Sequence, residues 1–407
     1  MTELLRGKLL VGQSGGCTAV INSSLVGVVE EALSHKELQG VLGALHGVQG
    51  LLQGQIVDLG REARSTLKRL RRTPSAALGS CRYKLEEGDL EQLVQLFRRH
   101  DVRYFVYIGG NDSADTSHRL ALAAADIGYD LRVFAVPKTI DNDLPFTDHC
   151  PGYGSIARFV AQSTQDAGLD TEAMKQYDPV KIIEVMGRNA GWVAAGSALA
   201  KKSEQDAPHL IYVPELPFDE QRFLEDVRRM HQAVGYVVVV VSETIRDGKG
   251  QRVGGESPYF VDSFGHGYYE SPAAHLCKVV TRELGLRARF DKPGTIQRMS
   301  MALASPVDLD EAYLVGKMAV RYILEGRSDH MVTLLREPGP DYRCTTGSVP
   351  LAEIANVEKR LPAEFLSAEG NFVTPAFLEY ATPLVGGAFL PYARLEKHRV
   401  TGSVTGL

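Results

Sequence analysis

The sequence PKTIDND, residues 137–143, directly follows an apolar run at residues 131–136. An apolar run of this length, followed by polar and turn-forming residues, predicts a buried parallel strand. The heptapeptide is therefore expected at the carboxyl end of that strand. In an open α/β sheet, ligands bind in the crevice beyond those ends. Lys138, Asp141 and Asp143 are accordingly predicted to face a ligand.

Asp141 and Asp143 stand two residues apart, so their side chains can serve different neighbours. One carboxylate is suited to accept a proton from a hydroxyl group, and the other to hold a hydrated Mg²⁺ ion. A purely local alternative is an Asx-type turn, in which Asp and Asn side chains bond their own backbone. The spacing by itself leaves both interpretations open.

Two more units of strand, glycine turn and helix lie upstream. Residues 8–11 lead into GQSGGCTAV, and residues 102–108 lead into GGNDS. Glycine turns let backbone N–H groups approach an anion, but they also occur for packing reasons, and the first lacks the ending of a Walker A loop. Asp112 or Ser113 is predicted to cap the second helix. The three loops are expected side by side at one edge of a parallel sheet.

The chain after residue 150 repeats this α/β pattern, with Arg188 and Glu243 placed just past predicted strand ends. Both side chains are expected to face the crevice, with helix capping or a surface salt bridge as the alternative. Further on, RARFDKPGTIQR holds four cations interrupted by Pro-Gly, which favours a phosphate pocket over an amphipathic helix. These cations are Arg287, Arg289, Lys292 and Arg298.

Composition excludes several classes of protein. The 407 residues, with 44% hydrophobic and 23% charged residues, fit a globular α/β enzyme of two or three domains. A net charge of −5 provides no basic field for nucleic acid or an anionic membrane. Five cysteines without CxxC spacing indicate neither a disulfide framework nor a zinc site. The N-terminus lacks the pattern of a signal peptide and no apolar run is long enough to span a membrane, so a cytoplasmic location is expected.

With these loops in order, the chain resembles phosphofructokinases over about residues 8 to 325. The resemblance implies an α/β fold of two similar Rossmann-like lobes with parallel-rich sheets and an active site in the cleft between them. The landmarks are SGG at 14–16, GGNDS at 109–113, TIDND at 139–143, MGR at 186–188, Glu243 and IQR at 296–298.

The same resemblance implies a domain division and an activity. Residues 1–150 with roughly 297–330 would bind the phosphoryl donor, residues 151–296 the sugar phosphate, and residues 331–407 would pack on the lobes as an extension. The family transfers a phosphoryl group to the 1-hydroxyl of fructose 6-phosphate in glycolysis, with Mg²⁺ as cofactor. A homodimer or homotetramer is expected.

The resemblance implies roles for individual residues from their positions in the matching motifs. Asp141 resembles the base, and Asn111 with Asp143 falls where the hydrated metal is held. The positions that match donor contacts are Gly15, Arg82, Gly110 and Ser113. The positions that match sugar-phosphate contacts are Thr139, Ile140, Asp141, Met186, Gly187, Arg188, Glu243, Arg289, Thr295 and Arg298.

Asp112 and Lys138 resemble the pyrophosphate-using branch, because ATP-using relatives usually have glycine at both positions. A carboxylate at Asp112 would repel the α-phosphate of a nucleotide by roughly 4 kcal/mol at ~4 Å and an effective dielectric constant of about 20. Pyrophosphate ends before that point, and Lys138 can neutralise the leaving phosphate. The local alternative is a helix cap at Asp112 and a solvated lysine at 138.

Three positions depart from the ATP-using pattern. Asn111 replaces an aspartate, which removes one charged metal ligand; Thr295 replaces a histidine; and Pro179 replaces an arginine that reaches a neighbouring subunit. A shared active site and allosteric control are therefore not implied. The alternatives are an ATP-dependent enzyme, a catalytically silent sugar-phosphate-binding subunit, and a glycine-rich nucleotide-binding module. A silent subunit needs no positioned base, and the presence of four motif residues argues against it: Thr139, Asp141, Asp143 and Arg188.

Overall fold

The computed structural model describes residues 5–261 and 267–398. Its strands are β1 (Gly7–Gln13), β2 (Leu38–Ala44), β3 (Ile56–Asp58), β4 (Val102–Gly109), β5 (Arg132–Pro137), β6 (Val180–Val185), β7 (Leu210–Tyr212), β8 (Val237–Ser242), β9 (Phe260–Val261), β10 (Gly267–Tyr268), β11 (Ala288–Asp291), β12 (His330–Arg336) and β13 (Cys344–Pro350).

Helices alternate with most of these strands. They are α1 (Ile21–Ser34), α2 (Gly47–Leu52), α3 (Arg64–Leu70), α4 (Glu87–His100), α5 (Asn111–Asp126), α6 (Tyr153–Met174), α7 (Trp192–Gly196), α8 (Glu220–Val234), α9 (Pro272–Leu284), α10 (Pro306–Leu324), α11 (Leu351–Ile354) and α12 (Pro375–Ala381). Within the described residues, no helix is long and apolar enough to cross a membrane.

Two sheets organise these elements. The larger has the order β13-β12-β5-β4-β1-β2-β3, in which only the outer strands β3 and β13 are antiparallel to their neighbours. The smaller has the order β11-β6-β8-β7 and is entirely parallel. The predicted α/β class with two parallel-rich sheets is therefore confirmed.

Strand β4 shows why the larger sheet is covered on both sides. Its side chains alternate between two apolar cores: Tyr104 and Val106 join the core beneath α1 and α10, while Phe105 and Tyr107 join the core beneath α4. A central parallel strand that is buried on both faces reads as a continuous apolar run, which is how the sequence presents it. Helix α1 packs closely on α10 because a Cβ at Gly27 would stand 2.2 Å from the Tyr313 carbonyl oxygen.

The structure changes the predicted boundary of the first lobe. Strand β12 pairs with β5, and β13 pairs with β12. Residues 331–350, predicted as part of an added extension, thus form one edge of the larger sheet. Residues 331–350 carry no strand pattern strong enough to predict this edge. Helix α7 ends at Gly196, and a 3₁₀ turn over Ser197–Ala200 follows it.

Candidate active site

A cleft of about 690 Å³ is lined by loops at the carboxyl ends of strands from both sheets. This volume is typical of a site for a small ligand. The first lobe contributes the loops after β1, β4 and β5, and the second contributes the loops after β6 and β8. The predicted residues that line it are Gly15, Arg82, Gly110, Asn111, Asp112, Ser113, Lys138, Thr139, Ile140, Asp141, Asp143, Met186, Arg188, Glu243, Thr295 and Arg298.

Two predicted residues stand outside the lining. Gly187 lies just behind it, where its N–H donates to Glu243 Oε1 at 3.4 Å. Arg289 lies on edge strand β11, and its guanidinium pairs with Asp178 at 2.5 Å. The structure therefore does not bring Arg289 into the cleft of this chain.

The predicted phosphate pocket of four cations is wrong as a single cluster. Arg287 shares Asp178 with Arg289, at 3.0 Å from Nε to Oδ1. Lys292 pairs with the buried Glu184 at 2.6 Å. Of the four, only Arg298 lines the cleft. The other three cations pair instead with the buried carboxylates of Asp178, just before β6, and Glu184, within β6. The spacing of the cations in the sequence does not indicate such partners.

Asn142 sets the geometry of the loop after β5. It adopts a left-handed backbone conformation, with φ 53°, and its buried side chain accepts a hydrogen bond from the Cys150 N–H at 2.9 Å and donates to Tyr380 at 3.0 Å. Asparagine tolerates this conformation better than most residues. Because Asn142 points inward, the flanking carboxylates of Asp141 and Asp143 are left to face the cleft.

Lys138 is buried beside the first glycine turn, with 3% of its surface exposed. Its Nζ donates to the Gly16 carbonyl oxygen at 2.8 Å, and Gly15 has a positive φ of 75° that suits glycine. Burial lowers the pKa of Lys138 to about 8. The alternative of a solvated surface lysine is therefore wrong. A buried ammonium with few charged partners is suited to bind an anion.

Carboxylates opposite Lys138 have raised pKa values. Burial, with the nearby charge of Asp143, raises the pKa of Asp141 to about 8. Burial also raises the pKa of Asp143 and of Glu243. Groups whose protonation changes near neutral pH are typical of sites that move protons.

Asp143 and Asn111 differ in their fitness to hold a metal. The buried Oδ1 of Asp143 has no hydrogen-bond partner among the described residues, as expected for a cation ligand. The Asn111 amide is instead engaged with the segment after α11: its Nδ2 donates to the Val357 carbonyl at 2.6 Å, and its Oδ1 accepts from the Asn356 N–H at 2.7 Å. The donor set fits a divalent cation at Asp143 better than at Asn111.

Asp112 does not cap helix α5, and neither does Ser113. The cap position belongs to Gly110, and Asp112 falls in the first turn with its side chain exposed. Exposure means that water screens its field, so the repulsion toward a nucleotide phosphate falls from the predicted value toward about 1 kcal/mol at 4 Å. Asp112 lies in the cleft as predicted, but the buried Lys138 carries the less screened charge.

Sequence reasoning missed several lining residues. Asn189 directly follows Arg188 and shares its loop, so its position alone could have suggested it. Cys17 and Ala190 also line the cleft, and three more lining residues come from the segment after α11: Asn356, Glu358 and Arg360. No strand, glycine turn and helix pattern precedes them, so the sequence offered no signal.

Comparisons with known proteins now identify the family. The family model "Phosphofructokinase" matches residues 8–323 of this chain. The chain belongs to the phosphofructokinase family. The predicted family is thus confirmed, and phosphofructokinases are phosphoryl-transfer enzymes that generally need a divalent metal.

Similar relatives of this phosphofructokinase carry a more specific name. A protein of Xanthomonas campestris pv. campestris (strain B100), named pyrophosphate–fructose 6-phosphate 1-phosphotransferase, is 42% identical over 94% of this chain and 93% of its own. A protein of the same name from Halomonas elongata is 40% identical over 95% and 96%. The crystal structure of a pyrophosphate-dependent phosphofructokinase from Nitrosospira multiformis matches with a TM-score of 0.85 and 35% identity, over 99% of this chain and 100% of that one.

Proposed function

We propose that this phosphofructokinase transfers a phosphoryl group from pyrophosphate to the 1-hydroxyl of fructose 6-phosphate, giving fructose 1,6-bisphosphate and phosphate. The reaction is reversible and serves glycolysis or gluconeogenesis in the cytoplasm, and the enzyme is a homodimer or homotetramer. The observation that carries the choice of donor is the buried Lys138 ammonium beside the Gly15 turn. The names of the similar relatives support the same donor and acceptor.

The first lobe binds the donor in this proposal. Lys138, Arg82 and the backbone at Gly15 surround the position of the pyrophosphate and offset its charge. The start of α5, where Gly110 and Ser113 lie, adds the positive end of the helix dipole. A buried ammonium group suits a compact inorganic anion such as pyrophosphate, because pyrophosphate has no further group that needs space beyond the ammonium.

The second lobe binds the acceptor, with help from the loop after β5. Arg188 and Arg298 attract the 6-phosphate, and Glu243 accepts a hydrogen bond from a sugar hydroxyl. Thr139, Ile140, Met186 and Thr295 complete the sugar pocket. Arg289 is not part of this pocket within one chain.

Asp141 accepts the proton of the attacking 1-hydroxyl. Burial, with the nearby charge of Asp143, raises its pKa to about 8, close to the pH at which enzymes usually work, which favours a general base. Asp143 holds Mg²⁺, which when bound offsets negative charge on the transferred phosphoryl group. The transfer is a single in-line step, so positioning and electrostatics provide the catalysis and no covalent enzyme intermediate forms.

Purified protein tests this function directly. The chain is incubated with fructose 6-phosphate, pyrophosphate and Mg²⁺, and the products are identified by phosphorus NMR. We expect fructose 1,6-bisphosphate and inorganic phosphate in equal amounts, and reversal when both products are supplied. Absence of transfer by the single purified chain would favour a silent sugar-phosphate-binding subunit.

The pH dependence of kcat/KM should be a narrow bell. Asp141 must be ionised to act as base, so activity falls as the pH drops below its pKa of about 8. Lys138 must be protonated to bind the donor, so activity also falls as the pH rises above its pKa of about 8. Initial rates from about pH 6 to about pH 10 measure both limbs. Constant activity down to about pH 6, as for an aspartate with the ordinary pKa of about 4, would contradict the raised value.

Replacing Asp112 by glycine should improve the use of ATP. The exposed carboxylate repels a nucleotide phosphate by about 1 kcal/mol when fully screened, so we expect at least about a fivefold gain in kcat/KM for ATP. The gain approaches a thousandfold only if closure of the cleft excludes water from this side chain. Rates with pyrophosphate should change little. Asp126→Gly, at the exposed far end of the same helix, is the control, and an unchanged ATP rate in Asp112→Gly would remove this residue from donor selection.

A further inference from the structure

The segment after α11, residues 355–361, crosses the active-site cleft and is called the strap here. Its first residues contact the first lobe, where the Asn356 N–H donates to Asn111 Oδ1 at 2.7 Å. Its last residue contacts the second lobe, where the Leu361 N–H donates to Glu215 Oε1 at 2.9 Å. The strap therefore bridges the two lobes at the rim of the cleft.

Lys359 lies at the middle of the strap and contacts the loop that carries the proposed base. Its backbone N–H donates to the Asp143 carbonyl at 2.6 Å. Its Nζ donates to the carbonyl oxygens of Thr147 at 3.0 Å and Asp148 at 2.8 Å. Lys359 thus holds both ends of the segment from Asp143 to Asp148, which begins two residues after Asp141. This segment, together with Asp141, is called the base loop here.

The same lysine contacts the second lobe through Trp192. The indole Nε1 donates to the Lys359 carbonyl at 3.2 Å, and the Lys359 Nζ lies 5.3 Å from the centre of the indole ring. Trp192 begins α7, directly after the loop that carries Arg188 and Asn189. Glu358 adds a contact at the exposed rim, where both of its carboxylate oxygens accept from Asn189 Nδ2 at 2.8 and 3.0 Å.

Lys359 is half-buried, and the loss of water around its ammonium group argues for a role beyond filling space. Burial lowers the pKa of its ammonium group, and its hydrogen-bond partners are neutral carbonyl oxygens, which compensate a buried charge less than a carboxylate would. A neutral side chain of similar length would fill the same space at lower cost. What the lysine side chain supplies is a donor that holds the carbonyl oxygens of Thr147 and Asp148.

We propose that Lys359 is a positioning residue of phosphoryl transfer, which fixes the base loop of the first lobe relative to the Arg188 loop of the second lobe. This inference rests on the proposed function, because it assumes that donor and acceptor bind on opposite sides of the cleft. Lys359 is not among the residues that line the cleft. It acts by keeping Asp141 at the correct distance from an acceptor that the other lobe holds.

The test compares Lys359→Met with wild type. Methionine retains an apolar stem against Trp192 and removes the hydrogen bonds to the base loop. Because displacement of a reacting group by about 1 Å can cost about a hundredfold in rate, we expect kcat to fall about ten- to a hundredfold while KM for both substrates stays within about threefold. Lys359→Arg should recover part of kcat, since its guanidinium can still donate to carbonyl oxygens.

Two controls separate this effect from a general loss of stability. Lys278→Met removes an exposed lysine of α9, and Glu353→Gln changes an exposed glutamate just before the strap; both should retain wild-type kcat. All rates are measured well below the melting temperature of each variant. A Lys359→Met variant with lower melting temperature and wild-type kcat would overturn the proposal, and so would a rise in KM that accounts for the whole loss.

Fluorescence gives a readout that does not depend on the reaction. Trp192 is the only tryptophan of the chain and is 2% exposed. If Lys359 joins the lobes, acrylamide should quench Trp192 more strongly in Lys359→Met than in wild type or Lys278→Met. Equal quenching would overturn the joining role. If wild type transfers nothing from pyrophosphate, the proposed function fails, and quenching still decides whether Lys359 holds the lobes together.

Discussion

Replacing Asp141 by serine is expected to lower kcat by about 10²- to 10⁴-fold, the usual contribution of a general base. The serine hydroxyl is too weak a base to take the proton of the sugar 1-hydroxyl. KM for fructose 6-phosphate should change little, because Arg188 and Arg298, which we propose to bind the 6-phosphate, do not depend on the base. Steady-state rates at saturating pyrophosphate measure the effect.

The same variant should be more stable than wild type in the absence of ligands. Folding raises the pKa of Asp141 from its ordinary value near 4 to about 8, so the folded state binds the proton more tightly than the unfolded state does. Ionisation of Asp141 therefore costs stability progressively as the pH rises from about 4 to about 8, and that cost is complete above about 8. Serine removes it. Thermal melting at alkaline pH should show a higher melting temperature for Asp141→Ser.

Asp126→Ser is the matched control, because Asp126 is exposed at the end of α5 and lies outside the cleft. It should keep both wild-type turnover and wild-type melting behaviour. Near-normal turnover of Asp141→Ser would remove Asp141 from the role of base. In that case the raised pKa would reflect burial beside Asp143 alone.

Replacing Lys138 by methionine is expected to lower kcat/KM for pyrophosphate by about 10²- to 10³-fold, as for the loss of one preorganised electrostatic contact. The ammonium is held by the Gly16 carbonyl at 2.8 Å and is buried, so its field on a bound phosphate is little screened. Methionine has similar length and no charge, and it leaves the packing of the loop nearly intact. The basic limb of the pH profile should disappear with the lysine.

Lys36→Met controls for the loss of one positive charge, since Lys36 is exposed in the turn after α1. It should match wild type in kcat/KM for both substrates. Comparable rates for Lys138→Met and wild type with pyrophosphate would show that the buried cation does not act on the donor. A loss confined to KM for fructose 6-phosphate would place Lys138 on the acceptor instead.

Loops that follow strongly apolar strands were predictable from the sequence. The runs at β4 and β5 are buried on both faces, so their ends had to meet at one edge of the sheet, and the residues of GGNDS and PKTIDND line the cleft as expected. Local chemistry also explains Asn142: the amide between two carboxylates turns inward, and the carboxylates remain available.

Features that depend on partners distant in the chain were not predictable. Arg287, Arg289 and Lys292 looked like a phosphate pocket until the buried carboxylates of Asp178 and Glu184 were located next to them. The strap is a stronger case, because its residues have no regular period and reach the cleft only by crossing from β13 to the second lobe. For Asp112, the sequence predicted the position in the cleft but not the exposure of the side chain to water.

Donor preference tests the central claim most directly. The purified wild-type chain is assayed at saturating fructose 6-phosphate and Mg²⁺, with pyrophosphate and ATP varied separately, and kcat/KM is compared for the two donors. The buried Lys138 and the acidic Asp112 predict a preference for pyrophosphate of about a hundredfold or more. Equal use of the two donors, or a preference for ATP, would contradict the account.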